Sequence, residues 1–157
     1  MGETSASGSN PTRVEQASDR ELVVTRTIDA PVHLVYRAWS EAELFKRWWA
    51  PKSMGMQLLS CEMDVRTGGG YRLAFGEDEA SAFSFFGKYL EVIPNARMVW
   101  TNEEGDGAIT TVTFEEKDGR TLLVYRELFP SKEALEAEGG GVTPEQFEQL
   151  EELLATL

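Results

Sequence analysis

The feature that most constrains the fold is a long segment, from about Met56 to Phe129, in which short apolar runs alternate with turn signals. The turn signals are TGGGY, IPNAR, EEGDGA and EKDGR, rich in the residues that reverse a chain. Between them the apolar residues recur with the period of two that a β-strand requires, as in Tyr71, Leu73 and Phe75. The pattern predicts six antiparallel strands.

A strand and two short helices are predicted before this segment. The run ELVVTRTI is β-branched and strand-like, and a helix follows Pro31. The helix has one apolar stripe, formed by Val32, Val35, Tyr36 and Trp39. Ser40 and Glu43 have the spacing of a capping box at the start of a second helix, which carries Trp48 and Trp49.

The C-terminal segment predicts an amphipathic helix. The glycines at 139–141 stop a preceding helix, and Thr143 with Gln146 suggests a second capping box. The apolar face of the predicted helix consists of Phe147, Leu150, Leu153, Leu154 and Leu157. Its water-facing or flanking glutamates are Glu145, Glu148, Glu151 and Glu152. The apolar face must be buried, and the sheet is the available surface.

Size and charge limit the domain count and the partners. The 157 residues suffice for one domain, predicted at 20–157 after a flexible N-terminal tail at 1–19. With 15 Lys and Arg against 27 Asp and Glu, the net charge of −12 argues against nucleic-acid binding. A local basic face remains at Arg37, Lys46, Arg47 and Lys52, interpreted as a solvated helix face. No apolar run is long enough for membrane insertion.

Candidates for catalysis and metal binding are sparse. His33 is the single histidine and is expected to face solvent or cap a helix. Cys61 is the single cysteine, expected to be a small buried hydrophobe, and it favours a cytoplasmic protein. Glu62 and Asp64 share a strand face, but nearby arginines fit them better as surface ion pairs. We predict no catalytic residue, no metal site and no cofactor, so an enzyme is the less favoured interpretation.

Five segments resemble a known family: APVHLVYRAWSEAELFKRWWAP at 30–51, CEMDVRTGGGYRL at 61–73, GKYLEVIPNARMVWT at 87–101, TTVTFEEKDGRTLLV at 110–124 and EQFEQLEELLATL at 145–157. The family is that related to the C-terminal domain of the activator of heat-shock protein 90 ATPase, called AHSA1-like. It belongs to the START-like, birch-pollen-allergen-like (SRPBCC) superfamily. The resemblance covers about residues 20 to 157 in the family's order.

The resemblance implies an α+β helix-grip fold, in which a curved antiparallel sheet wraps a long C-terminal helix and two short helices close one end. It also implies an apolar cavity between sheet and helix, with Trp48 and Trp49 near its mouth, one packed inward and one partly exposed. We predict non-catalytic binding of a small apolar or amphipathic ligand there. The predicted lining residues are Trp49, Phe75, Phe85, Trp100, Tyr125, Phe147 and Leu150, with Tyr125 as a polar handle.

Two other functions remain open. One is a co-chaperone-like interaction module with a chaperone as partner, and the other, less favoured, is an enzyme resembling the superfamily's cyclases or hydrolases. The ligand-binding prediction carries a stability figure: as a ring that borders a cavity, Phe147 replaced by Ala is expected to cost less than about 2 kcal/mol. Oligomeric state does not follow from the sequence.

Overall fold

The computed structural model describes residues 12–55, 57–103, 107–138 and 143–157, which form one antiparallel sheet and four α-helices. The strands are β1 Arg13–Gln16, β2 Glu21–Ile28, β3 Gln57–Met63, β4 Gly70–Gly76, β5 Phe83–Ile93, β6 Arg97–Thr101, β7 Ile109–Lys117 and β8 Arg120–Leu128. The helices are α1 Val32–Ser40, α2 Ala42–Trp48, α3 Lys132–Glu138 and α4 Thr143–Leu154.

The sheet is one curved layer of eight strands in the order β1-β2-β8-β7-β6-β5-β4-β3. Strands β3 to β8 follow one another as antiparallel hairpins, which confirms the six strands predicted from the turn signals. Strand β2 pairs with β8, so α1 and α2 connect two strands that lie far apart in the sheet. The α+β helix-grip fold is therefore confirmed.

Strand β1 was not predicted, because its residues fall within the segment assigned to a flexible tail. Arg13–Gln16 pairs antiparallel with β2, with Arg13 opposite Thr25 and Gln16 opposite Leu22. All four side chains of β1 are exposed, so the strand buries no apolar face of its own. A strand of this kind is held by its backbone ladder and leaves little hydrophobic signal in the sequence.

Backbone geometry at two places explains how the sheet turns and bends. Asp118 and Gly119 both have positive φ, 56° and 78°, the geometry that a two-residue hairpin between β7 and β8 requires. In β5, a Cβ atom at Gly87 would lie 2.0 Å from the backbone oxygen of Thr101. Only glycine permits this close approach, which lies beside the irregular pairing of β5 with β6.

Helices α1 and α2 follow each other directly, and this overturns the capping box predicted at Ser40 and Glu43. Ser40 is the last residue of α1, and its hydroxyl donates to the backbone oxygen of Tyr36 at 2.8 Å. Glu41, in extended conformation, is the N-cap of α2 and makes no side-chain capping bond. Because Ser40 is itself helical, its hydroxyl bonds back along α1 instead of capping α2.

Helix α4 packs its apolar face against the inside of the sheet, as predicted, and Phe147, Leu150 and Leu154 are buried. Leu157 departs from the prediction: it lies beyond the end of the helix and is 47% exposed. The predicted glycine stop at 139–141 lies outside the described residues. In the part of the chain that the structure describes, no helix is long and apolar enough to cross a membrane.

Candidate ligand-binding site

The residues predicted to line a cavity lie on the concave, helix-covered side of the sheet and form two groups. We define the inner aromatic cluster as Trp39, Trp49, Trp100, Tyr125 and Phe147. We define the outer aromatic cluster as Phe75, Phe83 and Phe85. Leu150, the remaining predicted residue, is buried in the same core.

The inner aromatic cluster is centred on Trp39. The centroid of its ring lies 5.9 Å from that of Trp49 and 6.0 Å from that of Trp100. Tyr125 and Phe147 follow at 6.3 Å and 6.2 Å. Trp39 was predicted on the apolar stripe of α1 but not among the lining residues. The stripe indicated that Trp39 is buried. Its contact with four predicted lining residues depends on which elements pack together, and the sequence pattern does not show this.

The inner aromatic cluster is closed. Trp39 and Phe147 expose 0% of their surface, so neither ring borders a space that a water molecule fills. Leu150 is equally buried. Of the five rings in the cluster, that of Trp49 is the half-buried one. The interior beneath α4 is therefore packed at Phe147 and Leu150 in this structure.

The indole N–H of Trp39 distinguishes it from its neighbour Trp48. Nε1 of Trp48 donates a hydrogen bond of 2.9 Å to the backbone oxygen of Ala38. Nε1 of Trp39 is buried and has no hydrogen-bond partner in the structure of the described residues. Most buried donors have a partner, and an unpaired one costs about 1–3 kcal/mol. An orphaned donor at the centre of the cluster is therefore unusual.

The outer aromatic cluster is open. The ring of Phe75, itself buried, lies 5.9 Å from that of Phe83 and 5.3 Å from that of Phe85. Phe83 is 42% exposed and Phe85 is 36% exposed. Phe85 pairs across the strands with Leu73, a buried core residue, so it points to the concave side. Two large aromatic side chains on this face thus remain partly uncovered.

The next residue along β5, Phe86, points to the opposite side of the sheet. It pairs with Arg72, whose guanidinium carbon lies 5.8 Å from the centroid of the Phe86 ring. Phe86 is 38% exposed, nearly the same as Phe85. Adjacent phenylalanines of equal exposure thus occupy the two faces of one strand.

The segment after α2 explains the tandem tryptophans. Trp48 is fully buried against Trp39, with ring centroids 4.7 Å apart, whereas Trp49 is half-buried and stacks on Phe45 at 4.7 Å. The prediction that one tryptophan packs inward and the other is partly exposed is confirmed. Trp49 thus lies at the boundary between the inner aromatic cluster and solvent.

Buried amides of α4 hold this segment in place. The side-chain nitrogen of Gln149 donates to the backbone oxygens of Trp48 and Ala50, at 2.8 Å and 3.0 Å. Its side-chain oxygen accepts from the backbone N–H of Lys52 at 2.9 Å. One glutamine therefore satisfies three backbone groups that no regular element pairs.

Gln146 and Glu145 extend these contacts. The side-chain nitrogen of Gln146 donates to the backbone oxygen of Trp49 at 2.6 Å, so Gln146 fixes Trp49 in addition to its predicted place in the first turn of α4. Glu145 accepts from both the backbone N–H and the hydroxyl of Ser53, at 2.9 Å and 2.5 Å. These hydrogen bonds hold the pKa of Glu145 below its usual value. The polar side chains of α4 therefore attach the Trp48–Ser53 segment to the helix.

The sequence analysis did not identify the partly buried ion pair under α4. Arg26, only 4% exposed, lies 2.6 Å from Glu151 through Nη2 and also contacts it through Nε. Glu151 was predicted to face water or the flanks, but it turns toward the sheet because Arg26 compensates its charge there. In the sequence Arg26 is a charged residue within a β-branched strand, and that pattern does not indicate Glu151 as its partner.

The ionisable residues considered for catalysis are placed as follows. His33 is exposed, as predicted, and Asp64 pairs with Arg66 at 2.9 Å. Cys61 is half-buried, and burial raises its pKa to about 11, which disfavours the reactive thiolate. Within the described ranges no group of three His, Cys, Asp or Glu side chains is placed to hold a metal ion.

The predicted basic face is largely neutralised by ion pairs. The pairs are Arg37 with Glu41 at 2.9 Å, Lys46 with Glu43 at 3.0 Å and Lys52 with Glu152 at 3.8 Å. All six side chains are well exposed, so each pair contributes little to stability. The pairs leave little net positive charge on this surface.

Solved structures with the same fold come from several bacteria. A protein from Nitrosomonas europaea is 23% identical, with a TM-score of 0.80 over 90% of this chain and 97% of its own. One from Rhodobacter sphaeroides is 19% identical, with a TM-score of 0.84 over 94% and 99%. An AHSA1-like protein from Aeromonas hydrophila is 18% identical, with a TM-score of 0.63 over 80% and 90%. At these identities the likeness shows the fold alone.

The family is established by a match of another kind. No protein with a curated description matches the chain. The family model described as "Activator of Hsp90 ATPase homolog 1-like protein" matches residues 29–155, most of the chain and all of its elements from α1 to α4. With the sheet order and the C-terminal helix in agreement, this chain belongs to the AHSA1-like family of the SRPBCC superfamily.

Proposed function

We propose that this protein binds a small apolar or amphipathic molecule on the concave side of its sheet, without catalysing a reaction. The observation that carries the proposal is the outer aromatic cluster, in which Phe83 and Phe85 are 42% and 36% exposed above the buried ring of Phe75. Aromatic surface left open within a concavity is typical of ligand sites.

The binding energy comes from removing this surface from water. Each square ångström of apolar area buried contributes roughly 25 cal/mol, so a molecule that covers both exposed rings gains several kcal/mol before its ordering costs. Ring edges and faces at right angles, as between Phe83 and Phe85, suit an aromatic or a flat alicyclic body. The ligand therefore combines an apolar body with few polar groups.

The neighbouring pair Phe85 and Phe86 offers a matched test. Phe85→Ala removes a ring from the concave side, whereas Phe86→Ala removes a ring of similar exposure from the opposite side. We expect a neutral apolar dye such as Nile red to bind the wild type and Phe86→Ala with similar affinity. Phe85→Ala is expected to weaken binding by about tenfold, since part of the contact area is lost.

The dye titration is accompanied by thermal denaturation with sterols, fatty acids and aromatic polyketides. A ligand that binds only the native state raises the melting temperature. Equal effects of the two substitutions on dye binding contradict the site, and no binding or stabilisation by any of these compounds contradicts the function.

The family description favours a second candidate, a co-chaperone-like module that binds heat-shock protein 90. This activity requires an exposed surface that contacts the chaperone, and it does not require a ligand on the concave side of the sheet. Purified chaperone from the same host provides the test: acceleration of its ATP hydrolysis by this protein, with the same effect from Phe85→Ala, supports the second candidate over ligand binding.

A further inference from the structure

We propose that the ligand is an elongated neutral molecule with a hydrogen-bond acceptor, which the indole N–H of Trp39 binds at the inner end of the site. This inference rests on the proposed function and specifies the chemistry of its ligand. Its starting point is that Nε1 of Trp39 is fully buried without a partner in the structure of the described residues. Such a donor is satisfied when an acceptor of a bound molecule reaches it.

Trp39 is in the right place for this role. Its ring contacts Trp49, Trp100, Tyr125 and Phe147, which are four of the seven residues predicted from the sequence to line a ligand cavity. The unpaired N–H therefore belongs to the central ring of the inner aromatic cluster. An indole contributes only a donor, so the ligand must supply an acceptor such as a ketone, ester or ether oxygen.

The distance between the two aromatic clusters sets the length of the ligand. Trp100, which contacts Trp39, also contacts Tyr89 on β5, with ring centroids 6.4 Å apart. Tyr89 and Phe85 lie four residues apart on the same strand, about 13 Å at the rise of a β-strand. A molecule whose apolar end covers Phe85 and whose acceptor reaches Trp39 is therefore elongated.

Access to the N–H requires one ring to move. Trp39, Trp100, Tyr125 and Phe147 each expose 7% or less of their surface, whereas Trp49 is half-buried. The inference therefore assigns entry to the Trp49 side chain, whose ring contacts Trp39 and is already partly open to solvent. The backbone of Trp49 is held in place, since its carbonyl is bonded to Gln146.

Charge excludes a free carboxylate at this position. The buried basic side chain among the described residues is Arg26, and Glu151 already neutralises it at 2.6 Å. An anion beside Trp39 would lie in an apolar interior with a single N–H as its partner, a poor substitute for water. Fatty acids and other apolar anions are therefore expected to bind more weakly than their neutral counterparts.

The test compares dodecylbenzene with dodecanophenone, which have the same carbon skeleton, differ by one carbonyl and are long enough to extend from Trp39 to Phe85. Each is titrated in competition with Nile red, together with 12-phenyldodecanoate as the anionic probe. For the wild type we expect dodecanophenone to bind about fivefold more tightly than dodecylbenzene, the effect of one hydrogen bond. The anionic 12-phenyldodecanoate is expected to bind more weakly than both.

Trp39→Phe and Trp48→Phe are matched variants, because the Nε1 of Trp48 already has a partner in Ala38. The measured quantity is the ratio of the two affinities within each variant, so a change in cavity size affects both probes alike. The ratio is expected to fall to about one in Trp39→Phe and to remain about five in Trp48→Phe. If Trp39→Phe does not fold, the indole N–H resonance of Trp39 in the wild type provides the readout: dodecanophenone shifts it downfield and dodecylbenzene does not.

Two outcomes overturn the inference while leaving the proposed function intact: equal affinity of the wild type for the two neutral probes, or a ratio that persists in Trp39→Phe. Tighter binding of 12-phenyldodecanoate than of dodecanophenone also overturns it. If none of the three probes displaces Nile red and the dye itself does not bind, the proposed function fails together with this inference.

Discussion

The inner and outer aromatic clusters are both built from aromatic side chains, yet one is closed and the other open. The difference lies in what covers them. α1 packs against β7 and β8, α4 against β2 and α2 against β3, and these helices supply Trp39 and Phe147 to the inner cluster. The outer cluster belongs to β4 and β5, and its ring contacts join its own members. Helix placement therefore decides which aromatic surface remains available.

The largest expected effect comes from truncating the closed cluster at Phe147. Because Phe147 exposes 0% of its surface, Phe147→Ala is expected to lower the free energy of unfolding by about 3–5 kcal/mol. The sequence-based figure of less than about 2 kcal/mol assumed a partly empty surround. Phe83→Ala is the control, since its ring is 42% exposed and its loss leaves little cavity. Urea unfolding decides between the two figures, and similar losses in both variants would contradict the distinction between the clusters.

The sequence predicted the elements well and the site only in part. Turn chemistry and apolar periodicity located the six strands of the meander and the buried face of α4, because those signals are local. The roles of Trp39 and Gln149 depend on which elements meet, and a glutamine in a polar helix looks like any solvated residue. Phe85 and Phe147 were assigned to one cavity. Apolar periodicity shows which face of a strand a residue lies on, but it does not show which part of that face a helix covers.

The next effect tests what keeps the inner cluster closed. Gln149→Leu removes three hydrogen bonds to the Trp48–Ser53 segment and leaves buried backbone groups unpaired, so we expect a loss of about 2–3 kcal/mol in the free energy of unfolding. Gln146→Leu removes one such bond and should cost about 1 kcal/mol. Acrylamide quenching of tryptophan fluorescence should increase in both variants, and more in Gln149→Leu than in Gln146→Leu, because Trp49 becomes more accessible to solvent. Unchanged quenching in Gln149→Leu would mean that ring packing alone holds Trp49.

A smaller effect concerns Cys61, which lies on the concave side beside the outer cluster, opposite Leu73. Burial raises its pKa from 9.0 to about 11. At mildly alkaline pH the folded protein therefore holds less thiolate than the unfolded chain does. Alkylation by iodoacetamide at mildly alkaline pH should be about tenfold or more slower in buffer than in urea. Equal rates would show that the opening of the outer cluster extends to β3 and hydrates the thiol.

The smallest effect is the pH dependence of the contact between Glu145 and Ser53, at the edge of the closed region. Hydrogen bonds from the Ser53 hydroxyl and backbone hold the pKa of Glu145 below its usual value of 4.5. Because the folded pKa is the lower one, the contribution to stability is fully present above the unfolded pKa and is lost as the pH falls through the folded pKa. Glu145→Gln, which keeps an acceptor but no charge, should therefore be less stable than the wild type at neutral pH and should lose this deficit as the pH falls through the lowered pKa of Glu145 in the folded protein. Glu148→Gln, an exposed glutamate on the same helix, is the matched control. A stability difference between Glu145→Gln and the wild type that stays constant from neutral to acidic pH would show that the charge of Glu145 does not contribute to holding Ser53.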